Sequence, residues 1–168
     1  MRRKLLFLIT ILGLAAAVAV PAALADSPNF HYANASINSS TGALDVSFKE
    51  TGLGTTATTE SVTLTVDTAT AEYQCFNNGG KHPKAGNKET VSSSLTTTGT
   101  FPVRNGQTTG VISAGPPNQG DFACPSGQSL YLQSVTYSGI TITGSAGDSL
   151  AATPDPISSG PIHLLISA

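Results

Sequence analysis

The amino-acid sequence predicts an all-β domain, a two-sheet sandwich of seven or eight short strands held by one disulfide. Three observations predict it. Apolar residues recur with period two along most of the chain after residue 25, and no stretch of helical length shows the three-four spacing of an amphipathic helix. Turn signals built on Gly, Pro and Asn separate the alternating runs at short intervals, the pattern of a sandwich rather than of a βαβ fold. Ser and Thr supply 40 of the 143 residues after Ala25, and Thr suits a pleated, half-exposed surface.

The first 25 residues read as an export signal. Arg2, Arg3 and Lys4 form a positive start, Leu5 to Val20 is an uncharged apolar run, and Ala23-Leu24-Ala25 offers small residues at the cleavage positions. Arg2-Arg3 hints at twin-arginine export, but the rest of that motif is missing. No Cys lies near Ala25 to carry a lipid, and Ile162 to Ile166 is too short to cross a bilayer. The expectation is therefore a secreted, extracellular chain with no membrane association after signal cleavage. Residues 26–143 form the expected sandwich domain and 144–168 a Gly/Ser/Pro-rich tail, with Ile162 to Ile166 as an added edge strand.

The strands follow in order. Phe30 and Tyr32 mark the first. Leu44, Val46 and Phe48 point one way while Asp45, Ser47 and Lys49 point to water, and Gly52-Leu53-Gly54 ends that run. Val62, Leu64 and Val66 resume the alternation, which then shifts by one residue to Ala69, Ala71, Tyr73 and Cys75. A bulge near Asp67 and Thr68 reconciles the two registers. Residues 77–90 hold no periodicity and many turn formers, so they read as a long loop. Val91 to Val103 and Thr108 to Ala114 flank Asn105-Gly106, a two-residue hairpin signal, and Pro102 puts the first arm at a sheet edge. Leu130 to Tyr137 and Ile140 to Thr143 are two further strands separated by Ser138-Gly139.

Cys75 and Cys124 are the only cysteines, and in an exported chain a pair reads as a disulfide. No Cys-x-x-Cys is present to favour a redox role. Without its first 25 residues the chain carries 5 basic and 10 acidic residues, a net charge of −5, and only Lys81, Lys84 and Lys88 cluster. That balance argues against nucleic acid as a partner, because a duplex binder needs a basic face.

Short stretches of the chain resemble known families. Ala71-Glu72-Tyr73-Gln74-Cys75 is similar to the Ala-x-Tyr-x-Cys stretch of strand F in immunoglobulin domains, which implies an Ig-like architecture. In that family the partner Cys and a core Trp come earlier in the chain; here the second Cys is downstream and there is no Trp. Tyr73 to Lys88 resembles small secreted actinobacterial proteins in which Tyr-x-Cys leads into a Gly-Gly, Pro and Asn-Lys segment. That likeness implies export and treats the segment as a unit, and carries no activity with it.

The segment beside the disulfide is the candidate binding loop, with Phe76, Lys81, His82, Lys84 and Lys88 as its distinctive residues. A pinned loop on a rigid sandwich is a usual place for binding groups, and the lysines suit an anionic extracellular or cell-envelope partner. The bland reading is a solvated loop shaped by its glycines. Gly147-Asp148-Ser149-Leu150 resembles the nucleophile block of GDSL esterases and offers the alternative of a small secreted serine hydrolase using Ser149 and His163. In that family the block lies near the amino terminus and an Asp precedes the base by three residues; here the block is late and Gly160 occupies that place. A third reading is a secreted enzyme inhibitor presenting the disulfide-anchored loop. His31, His82 and His163 show no ligand spacing, so no metal or other cofactor is expected. Asn34-Ala35-Ser36 and Asn38-Ser39-Ser40 are glycosylation sequons, relevant only in a eukaryotic source. The favoured expectation is a non-catalytic secreted module, with no catalytic residue assigned.

Overall fold

Period-two alternation becomes two stacked sheets in the computed structural model, which describes residues 27–77 and 83–166. The export signal expected over residues 1–25 lies outside the described residues. Among the described residues nine strands follow in order: β1 (Asn29–Ile37), β2 (Leu44–Thr51), β3 (Thr59–Asn77), β4 (Pro83–Pro102), β5 (Gln107–Ala114), β6 (Gln128–Thr143), β7 (Ser149–Ala151), β8 (Ile157–Ser158) and β9 (Leu164–Leu165). The smaller sheet has the order β1-β2-β5. The larger is β4-β3-β6 with β7, β8 and β9 each pairing β6. All named strand pairs are antiparallel. The core lies between the sheets: Leu44, Val46 and Phe48 from the smaller sheet face Val62, Leu64, Val66, Leu132, Ile140 and Ile142 from the larger, all fully buried.

Tyr137, also fully buried, donates its hydroxyl to the Gly42 carbonyl at 2.7 Å, so its one polar atom is satisfied while the ring fills the core. Burial holds its hydroxyl well above the usual tyrosine range. On the opposite face of the larger sheet, Thr63 stands between Thr98 and Thr143, and Thr65 between Thr96 and Thr141. This hydroxyl-tiled face is why the composition is so rich in Thr.

The expected bulge at Asp67 and Thr68 is present, with the β3–β4 register shifting between Val66 and Ala69. Opposite it, the two strands expected on either side of Ser138-Gly139 are one continuous strand, β6. Gly139 takes φ +67 and a Cβ there would meet the Asp67 side chain, so both long strands bend at the same place without β6 breaking. Asp155 fixes the bend: its carboxylate accepts the N–H groups of Gly139 at 3.0 Å and Ile140 at 2.9 Å. Asp155→Ala is expected to lower unfolding free energy by about 1–2 kcal/mol, because two backbone donors lose a charged acceptor. Urea unfolding of the variant beside wild type measures it, and an unchanged midpoint refutes the role.

Three further expectations change. Phe30 is buried but Tyr32 is 39% exposed, because the β1–β2 register slips between them. Asn105 and Gly106 do form a tight turn, with φ +52 and +70, closed by the Arg104–Gln107 bridge. Its two arms then part, β4 entering the larger sheet and β5 the smaller, so the turn joins the sheets instead of capping a ladder. The tail from Gly144 supplies β7, β8 and β9 as a broken edge, and between β7 and β8 Thr153 bridges to Asn34 of β1. The sandwich is thereby tied at both sides.

Candidate functional site

The disulfide forms between Cys75, near the end of β3, and Cys124, in the loop between β5 and β6, with Cα atoms 5.6 Å apart. It does not join the two sheets. It fastens loop 115–127 across the end of the larger sheet. Tyr73 adds a second fastening, donating its hydroxyl to the Pro117 carbonyl at 2.6 Å in a buried setting, and burial raises that hydroxyl's pKa.

Residues 77–90 are not one long loop. β3 extends to Asn77 and β4 begins at Pro83, so Lys84 and Lys88 lie on a strand. β4 is an edge strand that pairs only with β3, and an edge tolerates polar and turn-forming residues because half of its backbone groups stay in water. Lys88 sits opposite Gln74, and its Nζ lies 2.6 Å from the Glu72 carboxylate, so its charge is matched. Lys81 and His82 lie outside the described residues. Phe76 is a buried strand residue, packed edge-on against Tyr131 at 5.2 Å and against His163 at 4.6 Å. Tyr131 and His163 stack face to face at 4.2 Å.

Beside this aromatic group the pinned loop leaves a cleft of about 470 Å³. Phe122 and Ala123 from the loop form one wall, and Leu130, Leu165 and Ile166 form the other. Leu165 is 57% exposed, so part of its apolar side chain is open to solvent at the cleft. The polar rim is Gln119, Gln128 and Ser129. Gln128 is held rigidly, donating to Asn77 Oδ1 at 3.2 Å and accepting from Asn87 at 2.8 Å, which ties β3, β4 and β6 at this end. None of the lining residues ionises, since Cys124 is in the disulfide. The arrangement suits an apolar group flanked by hydrogen-bonding amides.

Ser149 and His163 are not brought together. Ser149 opposes Thr143 of β6, whereas His163 bonds Gln133 at 3.1 Å, ten residues back along the same strand and roughly 33 Å away at strand rise. No Ser149–His163 couple forms, because the tail runs antiparallel along β6 and separates them by ten of its 16 residues. Among the described residues, no three His, Cys, Asp or Glu side chains group as a metal site. Sequence reasoning overlooked Tyr131, Phe122 and Leu165. The signal was the cysteine pair itself, which requires loop 115–127 to meet the end of the strand carrying Cys75. No family model, no curated protein and no solved structure matches this chain.

Proposed function

We propose that this protein is a secreted, non-catalytic β-sandwich module that binds an extracellular or cell-envelope partner through its disulfide end. The observation that carries the reading is the cleft: a loop locked by a disulfide and a tyrosine leaves an apolar, non-ionising recess open at the tip of an otherwise hydroxyl-covered sheet. A fixed recess loses little conformational freedom when it is filled, which is what a recognition surface requires. The disulfide is compatible with an oxidising compartment, and the signal-like residues 1–25 support export. Lys88, one of the three lysines, is ion-paired with Glu72, and the reading rests on the apolar cleft.

The test is retention of the mature protein on isolated cell envelope and on culture-filtrate fractions. Leu165→Asp is expected to weaken retention about 10- to 100-fold, the loss from one buried leucine contact. Val111→Asp, at a residue 56% exposed on the smaller sheet, is expected to leave it unchanged. Equal retention of the two variants removes the cleft as the binding surface.

A further inference from the structure

The opposite end of the sandwich buries acidic groups. Glu50, at the end of β2, is fully buried, and Glu60, at the start of β3, is 5% exposed. Asp148 ends the turn that joins β6 to β7. Glu60 is satisfied: its carboxylate accepts the Ser145 N–H at 2.6 Å and the Ser145 hydroxyl at 2.9 Å. Glu50 and Asp148 are not. All four of their carboxylate oxygens are buried, and no other residue donates a hydrogen bond to them. An ideal Cβ on Gly144 falls 2.6 Å from Asp148 Oδ1 and 2.9 Å from Glu50 Oε1, so the two carboxylates close over one point of the turn.

Two ionised carboxylates in that position cost heavily, since each is acceptor-only and repels the other. A single proton changes the chemistry: the protonated carboxyl becomes a donor to its neighbour. We propose that Glu50 and Asp148 share one proton and so latch the β6–β7 turn of the larger sheet onto β2 of the smaller, and that loss of this proton to solvent releases the turn.

Among the described residues no cation faces the pair from the elements packed on it. In the smaller sheet Glu50 is flanked by Phe30 of β1 and Thr108 of β5, neither of which titrates in the relevant range. Thr108 spends its hydroxyl on the Pro102 carbonyl. The charges that act on Glu50 are Asp148, from the turn, and Glu60, from β3, both acidic. Lys49 and Arg104 line a separate surface recess with Gln107 and Thr109. Burial, then Asp148 and Glu60, push the Glu50 carboxyl from 4.5 up to about 7. Asp148 is raised by burial, opposed by its own backbone N–H, with Glu60 adding to the rise.

The sign follows from the raised value. Below pH 4.5 Glu50 is protonated in both folded and unfolded chains and the latch is fully closed. Between pH 4.5 and about 7 the unfolded chain ionises first, and the contribution to stability is lost as pH rises.

The test is hydrogen exchange of residues 143–151 in the full mature chain at pH 5, 7 and 9, corrected for intrinsic rates, in wild type, Glu50→Gln and Asp148→Asn. Either amide keeps a donor between the two groups at every pH. Wild-type protection is expected to fall on the order of 100-fold across this range relative to either variant. Equal pH dependence in wild type and a folded variant overturns the latch. So does recovery of wild-type protection at pH 9 by millimolar calcium that neither variant shows, which assigns the pair to a cation instead.

Discussion

Replacing Cys75 and Cys124 with Ser is expected to lower unfolding free energy by about 4 kcal/mol, the chain-entropy value for freeing a loop of about 50 residues. That is a large share of the stability of an ordinary domain. The local consequence is sharper than the global one. Loop 115–127 then keeps the Tyr73–Pro117 bond, the packing of Phe122 against the core and turn contacts such as the Asn118 side chain with the Gly120 N–H, but no covalent tie to β3. Cys124 and Phe122, which wall the cleft, lose their fixed position. Denaturant unfolding of the double-serine variant, with and without reductant, measures the first effect. Retention on envelope measures the second, and is expected to fall with it. An unchanged unfolding midpoint shows the bridge to be dispensable.

Phe48→Ala is expected to destabilise by about 3–5 kcal/mol, as large-to-small changes of buried aromatics do. Phe48 is fully buried and packs edge-on against Phe30 of β1 at 5.9 Å and Phe101 of β4 at 4.9 Å. It therefore joins neighbours in its own sheet to the edge strand of the facing one. Phe101 also packs over Gly110, where a Cβ would lie 2.4 Å from its ring, so the surrounding wall is already close and collapses little into the vacated space. Thermal unfolding of variant and wild type at the same pH keeps the Glu50 carboxyl contribution common to both and reads the cavity cost. A loss below 1 kcal/mol contradicts the packing described.

The cleft and the buried carboxylates lie at opposite ends of the same two strands, roughly 50 Å apart along β3. The bend at Asp67, Thr68 and Gly139 lies between them. Opening of the β6–β7 turn is thus expected to leave the cleft intact, and the two proposals fail or stand separately.

Much of the architecture was legible in the chain because a strand's side-chain period is local. The inward faces of β2 and β3, the one-residue slip at Asp67 and Thr68, the Asn105-Gly106 turn and the edge position of Pro102 all follow from residues within a few positions of one another. The cysteine pair named the two segments that meet at the candidate site. Tertiary pairing decided the rest. Segment 83–90 looked like loop because its residues are turn formers, yet β3 offers it a free edge and half-solvated pairing accepts such residues. Ser138-Gly139 looked like a break because a glycine with positive φ usually is one, but the opposing bulge turns it into a shared bend.

Glu50 shows the limit most clearly. It follows Leu44, Val46 and Phe48 at the same period, so its inward direction was written in the alternation, but a charged residue at a strand's end reads as solvated. Only the approach of the β6–β7 turn, which begins 94 positions later at Gly144, shuts it from water and sets Asp148 beside it. Ser149 and His163 are the converse: near in sequence pattern, they are held apart by a tail that runs the length of β6. Local alternation and the lone pair of thiols sufficed for the inward faces of β2 and β3, the Asn105-Gly106 turn and the Cys75–Cys124 bridge, since each depends on nearest neighbours or on there being two sulfurs to join. The tertiary structure alone decided which acidic groups share one buried space and which apolar ones are left open at the cleft, because both depend on segments meeting across the sandwich.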